Sequence, residues 1–406
     1  MSDRDPDFRD ATPDWAATRA YAASQLQRRA AQLVRDRTTD LAPAPMPLPK
    51  GVYTDPARFA AEREHLFVGE PIVAGLTGDL RDPGDVLVFD SAGPSILVMR
   101  GRDGVARAFL NMCTHRGAKL IEESEPWRGR APRVTCPFHA WTFDATGRLI
   151  GQPSAASFAG CESGARNLVE LPCAEHLGLI FVRPGGGAPI DAAAHLGAFA
   201  DLLAMLELDR AVPIRQGVLH ADANWKFALD TYGEGYHFEM LHKTTIGQTH
   251  FNDMAYFDAF GRHHRVGFPD KSYSAYAGSP AAEWPEVGYG GVHYLFPNTV
   301  IFFGSLTPGV FFTQLFRLFP DEVGKTRCQF GVYAPFGVLS EDYRAACEGA
   351  YDATATVVQT EDYRIAGHAQ ANLVSAPADF HVVLGRNEIA LQAVQRHIAE
   401  AIGMPL

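Results

Sequence analysis

The sequence has too little positive charge for a protein whose main partner is nucleic acid or an anionic membrane surface. Its 406 residues include 36 lysines and arginines against 47 aspartates and glutamates, which gives a formal net charge of -11. Both partners require a basic face on the protein. We therefore expect neither of them to be the main partner.

The first residues, MSDRDPDFRD, contain no apolar stretch of the kind found in a secretory signal. One run, from Tyr294 to Phe316, has no formal charge and is long enough to cross a bilayer. Proline, asparagine and glycine residues divide it into short segments rich in phenylalanine, valine and isoleucine. This punctuation favours two buried strands joined by a turn, so we expect no membrane span and a cytoplasmic location.

Cysteine is scarce, with six residues in the chain. Six cysteines in a cytoplasmic protein are not expected to form a disulfide framework. Four of them are predicted to be small buried apolar residues: Cys161, Cys173, Cys328 and Cys347. Cys113 and Cys136 stand out, because they lie in two short loops that each carry a histidine as well.

The chain divides into segments with different secondary-structure patterns. Residues 1–70 contain helical patterns at 13–40 and 55–66, and the proline-rich stretch at 41–50 predicts a stiff extended connector between them. We expect this N-terminal part to pack on the C-terminal domain. Residues 71–185 contain short β segments separated by turn residues, which is typical of a small β domain.

The last segment, residues 190–406, mixes helical and strand patterns. The glycine-rich stretch RPGGGAP, at 183–189, precedes this segment. It does not begin a helix in a βαβ unit, so we predict a linker and not a dinucleotide-binding motif. We predict helices at 191–208, 224–241, 340–370 and 386–402, and strands at 211–223 and 255–335. This order indicates an α+β domain.

Two loops of the β domain each carry one cysteine and one histidine: NMCTHRGAKL at 111–120 and VTCPFHAWTF at 134–143. A zinc site is one alternative, but structural zinc sites usually take like ligands in pairs from each loop. Mixed loops suit a [2Fe–2S] cluster in which one iron binds both thiolates and the other binds both imidazoles. Neutral imidazoles raise the reduction potential above that of an all-cysteine cluster.

The sequences CTHRGA and CPFHAW resemble the cluster-binding loops of Rieske proteins in the ring-hydroxylating oxygenase family. The resemblance implies four cluster ligands: Cys113, His115, Cys136 and His139. It also implies that Trp141 packs beside the cluster. The family usually has glycine before this tryptophan, where this chain has Ala140.

The segment NWKFALDTYGEGYHFEMLH, which ends at His242, is rich in side chains that bind metals. On an α-helix Asp230, Glu234 and His237 would share one face, because their spacing is i, i+4, i+7. His242 would then lie about 140° away from His237. Both histidines could reach one metal only if the helix ended or bulged just before His242.

Two histidines and one carboxylate form the facial triad of non-haem Fe(II) oxygenases, which leaves open positions for O₂. The pattern Glu-x-x-His-x-x-x-x-His after NWK resembles the iron site of the same oxygenase family. By this resemblance His237 and His242 bind iron, with Asp362 as the third ligand and Glu361 as the fallback. The family commonly has asparagine where this chain has Asp230, which would be a nearby orienting or substrate-contacting acid.

Both resemblances identify the chain as the terminal oxygenase of a Rieske non-haem iron oxygenase. The implied fold is α+β, a Rieske domain beside a helix-grip (START-like) domain with a large antiparallel sheet. The implied cofactors are one [2Fe–2S] cluster and one Fe(II) per subunit. Electrons would pass from NAD(P)H through a separate ferredoxin and/or flavin reductase, and O₂ would oxidise an aromatic or other apolar organic substrate.

Four activities stay open at this point. Monohydroxylation and dihydroxylation both occur on this scaffold, and oxidative O- or N-demethylation is an alternative within the family. A Rieske electron-transfer or sensor protein, without oxygenation, is the alternative from another class. The oxygenase would hold about three iron atoms per chain and the carrier about two.

The resemblance also implies a head-to-tail homotrimer, in which the cluster of one subunit faces the iron of its neighbour. His139 and His237 are 98 positions apart in different domains, so nothing local in the chain brings them together. Glu234 occupies the position that, in the family, hydrogen-bonds to histidines of both sites. A solvated surface glutamate is the alternative. A small beta subunit is a further partner that the resemblance allows.

Overall fold

The structure is a computed structural model that describes residues 15–90, 92–122, 127–160, 166–307, 310–335 and 340–406. Cys161, which was predicted to be a small buried apolar residue, lies outside the described residues.

The N-terminal segment forms three helices and one strand: α1 Trp15–Asp36, β1 Met46–Pro49, α2 Gly51–Thr54 and α3 Pro56–Glu62, followed by a π-helical turn at Arg63–Val68. The proline-rich connector is extended, and its last residues pair antiparallel with His381–Leu384 near the C-terminus. Glu62, at the end of α3, is buried and accepts hydrogen bonds from the Trp225 indole at 2.8 Å and the Lys226 ammonium at 2.6 Å. These contacts attach the N-terminal segment to the C-terminal domain.

Short antiparallel strands form the β domain: β2 Ile72–Leu76, β3 Asp85–Asp90, β4 Ser95–Arg100, β5 Ala106–Leu110, β6 Trp127–Arg130, β7 Arg133–Thr135, β8 Thr142–Asp144, β9 Leu149–Gly151, β10 Glu170–Leu171, β11 Cys173–His176 and β12 Leu179–Val182. They make three sheets, ordered β10-β5-β4-β3-β6, β11-β12-β2 and β7-β8-β9. One Cys/His loop follows β5, and the other connects β7 to β8.

The C-terminal domain contains the remaining elements: α4 Ala192–Leu196, α5 Phe199–Ala204, β13 Val212–Ala221, α6 Trp225–Asp230, α7 Phe238–Leu241, α8 Ile246–Thr249, β14 Tyr256–Phe260, β15 His263–Gly267, β16 Gly291–Leu295, β17 Thr299–Thr307, β18 Val310–Glu322, β19 Lys325–Ala334, α9 Glu341–Val357, α10 Tyr363–Ser375, β20 His381–Leu384 and α11 Ile389–Ile402. A π-helical turn, Val358–Asp362, joins α9 to α10. Where one helix was predicted at 191–208, the two short helices α4 and α5 are found, separated at Gly197, which has a positive φ of 52°.

Seven antiparallel strands form one large sheet in the order β13-β19-β18-β17-β16-β15-β14. One face packs on α9 and α11, where Phe316 and Phe330 of the sheet join Tyr351 and Val394 of the helices in one core. The predicted α+β fold with a large antiparallel sheet is confirmed. The uncharged run from Tyr294 to Phe316 lies in β16, β17 and β18, and no helix among the described residues is long and apolar enough to cross a membrane.

A buried carboxylate, Asp79, joins the β domain to this sheet. Its oxygens accept hydrogen bonds from Arg128 of β6 at 3.0 Å, from Gln216 of β13 at 2.9 Å and from Tyr333 of β19 at 2.9 Å. The Leu76 backbone N–H, at 2.9 Å, is a fourth donor. A buried carboxylate with four donors is well satisfied, so the contact fixes the two domains in one orientation.

Candidate metal centres

The segment that carries the candidate iron ligands is not one helix. Asn224 caps α6 by accepting the Lys226 N–H at 3.1 Å, and α6 ends at Asp230. Residues 231–237 form turns that contain Gly233 and Gly235, and glycine is a poor helix former. The prediction of a continuous helix at 224–241 is wrong, and the side chains expected to share one face do not do so.

This break brings the two histidines and the downstream aspartate together. The Nε2 atoms of His237 and His242 are 3.1 Å apart. Asp362 Oδ1 lies 3.4 Å from Nε2 of His237 and 3.3 Å from Nε2 of His242. Among the described residues, this is the one trio of histidine, cysteine or carboxylate side chains with ligand atoms that lie within 4.8 Å of one another.

The spacing of these three atoms suits a single metal ion. Ligand atoms at roughly 2.1 Å from a metal and at right angles to one another would be about 3.0 Å apart. The observed separations are 3.1, 3.3 and 3.4 Å. His242 and Asp362 are buried and His237 is half-buried. Two imidazoles and one carboxylate on one side of a metal are typical of non-haem iron sites with open positions.

Each imidazole is held from behind by a second carboxylate. Glu234 contacts Nδ1 of His237, and Glu361 lies 2.6 Å from Nδ1 of His242. An Nδ1–H that donates to a carboxylate leaves the lone pair on Nε2, which is the atom that faces the metal position. Sequence reasoning did not find this role for Glu361, the fallback ligand, and its carboxylate contacts a histidine instead of joining the trio.

The pKa shifts of His237 and Asp362 show that the trio favours a positive charge between its side chains. Burial lowers the pKa of His237, but hydrogen bonds to Asp362 and Glu234 outweigh it and raise the value to about 9. Burial also raises the pKa of Asp362, while the two histidines lower it to a greater extent. A metal ion would replace the imidazole proton as the partner of these carboxylates.

The two Cys/His loops have the same backbone turn. In each loop the cysteine N–H donates to the carbonyl five residues later, from Cys113 to Ala118 and from Cys136 to Trp141, both at 2.8 Å. The residue four after each cysteine has a positive φ, 79° at Gly117 and 56° at Ala140. A left-handed conformation costs a residue with a Cβ about 1 to 2 kcal/mol, which explains why glycine is usual at the second position.

The loops meet with their four candidate ligands side by side. Cys113 and Cys136 are buried, and burial together with the adjacent Cys136 thiol raises the pKa of Cys113. The rings of His115 and His139 lie 4.7 Å apart, and the Nδ1 atom of each is buried without a protein partner. Orphaned imidazole nitrogens beside two adjacent thiols fit a [2Fe–2S] cluster bound by mixed ligands.

Trp141 packs against this group. It is 3% exposed, and its ring is stacked on His115 at 4.9 Å with 10° between the planes. The structure therefore places the tryptophan beside a candidate ligand, as the resemblance implied.

Replacing His115 or His139 by cysteine is expected to lower the reduction potential of the cluster. A thiolate adds negative charge, so the potential should fall from the Rieske range, about -150 to +300 mV, toward about -400 mV of all-cysteine clusters. Redox titration followed by EPR would measure the change. An unaltered spectrum in either variant would remove that histidine from the ligand set.

Asp230 does not join the metal trio. Its Oδ2 accepts a hydrogen bond from the Tyr53 hydroxyl at 2.8 Å, and burial raises its pKa to about 7. Tyr53 lies in α2, far from Asp230 in the chain. No local sequence pattern predicts the contact between these two residues. The acid lines the same groove as His237 and Asp362, and sequence reasoning did not find its tyrosine partner.

Comparison with known proteins gives the same two domains. The Rieske [2Fe–2S] domain family matches residues 70–172, and the ring hydroxylating alpha subunit (catalytic domain) family matches residues 208–404. The carnitine monooxygenase oxygenase subunit of Escherichia coli is 27% identical over 81% of this chain and 84% of its own length. The glycine betaine monooxygenase oxygenase subunit of Chromohalobacter salexigens is 31% identical over 48% of this chain and 43% of its own length.

Solved structures share the fold. A quaternary ammonium Rieske monooxygenase in complex with L-carnitine superimposes with a TM-score of 0.74 at 23% identity, over 89% of this chain and 96% of the other. Naphthalene 1,2-dioxygenase from Rhodococcus sp. gives a TM-score of 0.73 at 18% identity, over 93% and 98%. The matches to the cluster domain and the catalytic domain and the shared fold all indicate one family. The chain belongs to the Rieske non-haem iron oxygenases, as a terminal oxygenase subunit that uses a [2Fe–2S] cluster and a mononuclear iron.

Proposed function

We propose that this chain is the oxygenase of a monooxygenase for a small methylated amine, and that it works as a homotrimer with a separate NAD(P)H-dependent reductase. His237, His242 and Asp362 would hold the iron. The mixed loops would hold the cluster, through Cys113, His115, Cys136 and His139. When bound, the cluster supplies electrons one at a time and the iron supplies the site at which O₂ is activated.

The observation that carries the homotrimer is the position of Glu234. Its carboxylate contacts His237 and the Tyr236 N–H, and its side chain is 14% exposed at the edge of a groove. Within one chain, the aromatic rings that contact His115 and His139 all belong to the cluster domain, among the described residues. In the proposed trimer, a second copy would bring a cluster histidine to Glu234.

The groove at Glu234, which we call the outer groove, has the shape and charge to receive that copy. Its volume is about 210 Å³, and its lining includes Glu234, His237, Leu241, Ile365, Val383 and Glu388. Four carboxyl groups and no lysine or arginine occur among the residues that line it. Ile365 is 40% exposed and Val383 is 61% exposed, so the rim presents apolar surface that a neighbour would cover.

The cluster loops carry the complementary features. Phe138 precedes the candidate ligand His139 and is 58% exposed, and the Arg116 guanidinium lies over its ring at 5.3 Å. Phe138 would cover the exposed apolar rim of the outer groove, at Ile365 and Val383, and leave the interior of the groove to the substrate. The arginine would meet the carboxylates at the edge of the groove, which supports docking of the loop tip of one subunit against the groove rim of the next.

Phe138→Asp is expected to convert the trimer to monomers. A buried aromatic anchor at the centre of an interface typically contributes about 2 kcal/mol or more, and a carboxylate would also be repelled by the acidic groove. Analytical ultracentrifugation at several concentrations would measure the association. Val105→Asp is the control, because Val105 is 48% exposed at the opposite end of β5. Dissociation of both variants, or of neither, would contradict docking through Phe138.

A methylated amine as the substrate is supported by the relatives and by the charge of the residues that line the two cavities. The relatives matched over about four-fifths of this chain are carnitine monooxygenase subunits. Neither the outer groove nor the smaller pocket behind it has a lysine or arginine among its lining residues, whereas both include Asp230. Aromatic rings such as Tyr232 and Tyr294, which suit a cationic head, also line the smaller pocket.

Product analysis tests the substrate class. The enzyme with a surrogate reductase would be given choline, trimethylamine, glycine betaine, carnitine, benzoate and naphthalene, and products would be identified by mass spectrometry. Demethylated or hydroxylated amine products support the proposal. Turnover of the aromatic compounds alone would favour ring hydroxylation, the second candidate, which the apolar linings of both cavities also suit. Cluster reduction without product from any compound would favour an electron carrier.

A further inference from the structure

A small cavity, which we call the inner pocket, lies behind the outer groove. It is enclosed by the segment that follows α6, by strands β15 to β17 and by α11, and Asp230 and Leu391 line both cavities. Its volume is about 20 Å³, which is room for about one water-sized group. The inner pocket is therefore adjacent to the groove that the candidate iron ligands His237 and Asp362 line.

Most hydrogen-bonding groups around the inner pocket already have partners. The Tyr232 hydroxyl lies 2.8 Å from the Tyr363 hydroxyl, and the Tyr294 hydroxyl donates to the Pro297 carbonyl at 2.7 Å. Their hydroxyls are thus occupied, although their rings form part of the wall. A ligand in the pocket must find its hydrogen bonds elsewhere.

Two atoms remain without a partner. Nδ1 of His264 is buried in a side chain that is 3% exposed, and it makes no hydrogen bond among the described residues. Oδ1 of Asp230 is also buried without a hydrogen-bond partner among the described residues. Buried polar atoms are normally paired, so two orphans at one pocket indicate a missing ligand or water.

His264 is held in place as a neutral ring. It lies opposite Tyr294 in the pairing of β15 with β16, and the two rings stack at 4.8 Å. Burial lowers its pKa to about 3, so it carries no charge at neutral pH. A neutral imidazole can hydrogen-bond to an uncharged hydroxyl, but it gives no counter-charge to a carboxylate.

We infer that His264, with Asp230, is the specificity-determining end of the substrate site and binds one uncharged polar group of the substrate, such as a hydroxyl. This inference rests on the proposed function for the catalytic site, and it narrows the substrate to molecules without a carboxylate at that end. Carnitine and glycine betaine both carry a carboxylate, so this chain would differ in specificity from the relatives named for them.

Matched probes test the inference. Choline and ethyltrimethylammonium differ only in one hydroxyl, and glycine betaine has a carboxylate in its place. We expect the purified enzyme to bind choline about 10-fold more tightly than either of the others by calorimetry, since a site built for a hydroxyl leaves its polar atoms unpaired with the analogue. In His264→Leu, the affinity for choline should fall to that for ethyltrimethylammonium, and the kcat/KM ratio should follow.

Two variants keep the test interpretable. His264→Asn retains hydrogen-bonding atoms and should keep part of the preference, which separates lost recognition from lost folding. His220→Leu is the matched control, because His220 is exposed and lines neither cavity, and the ratio should be unchanged in this variant. An undiminished choline preference in a folded His264→Leu protein would overturn the inference.

A second pair of probes separates this inference from the substrate proposal. Benzyl alcohol and toluene also differ by one hydroxyl, on an aromatic skeleton. If only this pair binds, and His264→Leu abolishes its hydroxyl preference, the inner pocket keeps its assigned role and the amine proposal is wrong. No hydroxyl preference in the unaltered enzyme with either skeleton would overturn the role of His264.

Discussion

Glu234→Gln is expected to keep the trimer, the iron and a reducible cluster, and yet to form less than about 1% of the product. Loss of a carboxylate that only orients a metal-bound imidazole costs roughly 10- to 100-fold. Glu234 holds His237 and also faces the outer groove, so the variant would lose the contact to the neighbouring cluster as well. Single-turnover product yield from the pre-reduced enzyme measures electron transfer apart from cluster reduction.

Glu361→Gln is the control for this prediction. Glu361 holds the other candidate ligand, His242, at 2.6 Å, but it does not line the outer groove. If Glu234 bridges two subunits, its variant should lose far more activity than that of Glu361, which has only the orienting role. Equal losses in the two variants would contradict the bridge, as would turnover at the unaltered rate in Glu234→Gln.

The second large effect concerns the iron itself. His237→Ala, His242→Ala and Asp362→Ala should each reduce the iron content from about three to about two atoms per chain and abolish oxygenation, because each removes one of three protein ligands. The visible spectrum of the cluster should persist in all three. Metal analysis by inductively coupled plasma mass spectrometry, with the spectrum recorded on the same sample, gives both quantities.

Glu361→Ala decides between the two adjacent carboxylates. Asp362 faces the Nε2 atoms at 3.3 and 3.4 Å, whereas Glu361 lies behind His242. Glu361→Ala should therefore keep about three iron atoms per chain and lose only part of the activity. Full iron in Asp362→Ala together with loss in Glu361→Ala would show that the ligand is the other carboxylate.

Short-range patterns were enough to predict much of this molecule. The mixed Cys/His loops and the spacing of His237 and His242 depend on residues a few positions apart, and they led to the correct family. The α+β fold followed from the order of strand and helix patterns. Such features are visible because the chemistry and the periodicity are both local.

The features that sequence reasoning missed depend on distant partners. Strand β1 exists because its partner β20 comes from the other end of the chain, so the prolines indicated only an extended segment. The helix after Asn224 stops at Asp230, since the two glycines that follow favour turns that bring the histidines to one metal. The roles of Glu361 and Tyr53 arise from packing between elements, which spacing in the sequence does not encode.

The buried Asp79 has a consequence for symmetry. A head-to-tail interface joins two different patches, and it closes into a ring only if the angle between those patches is fixed at the right value. Two of the donors to Asp79, Gln216 and Tyr333, come from the large sheet and help to fix the angle between the cluster loops and the outer groove of one subunit. In the proposed trimer, this junction between the two domains is rigid. Its fixed angle allows the third subunit to contact the first and close the ring. A looser junction would allow open chains of variable length, so a buried carboxylate within this junction would contribute to the number of subunits that close the ring.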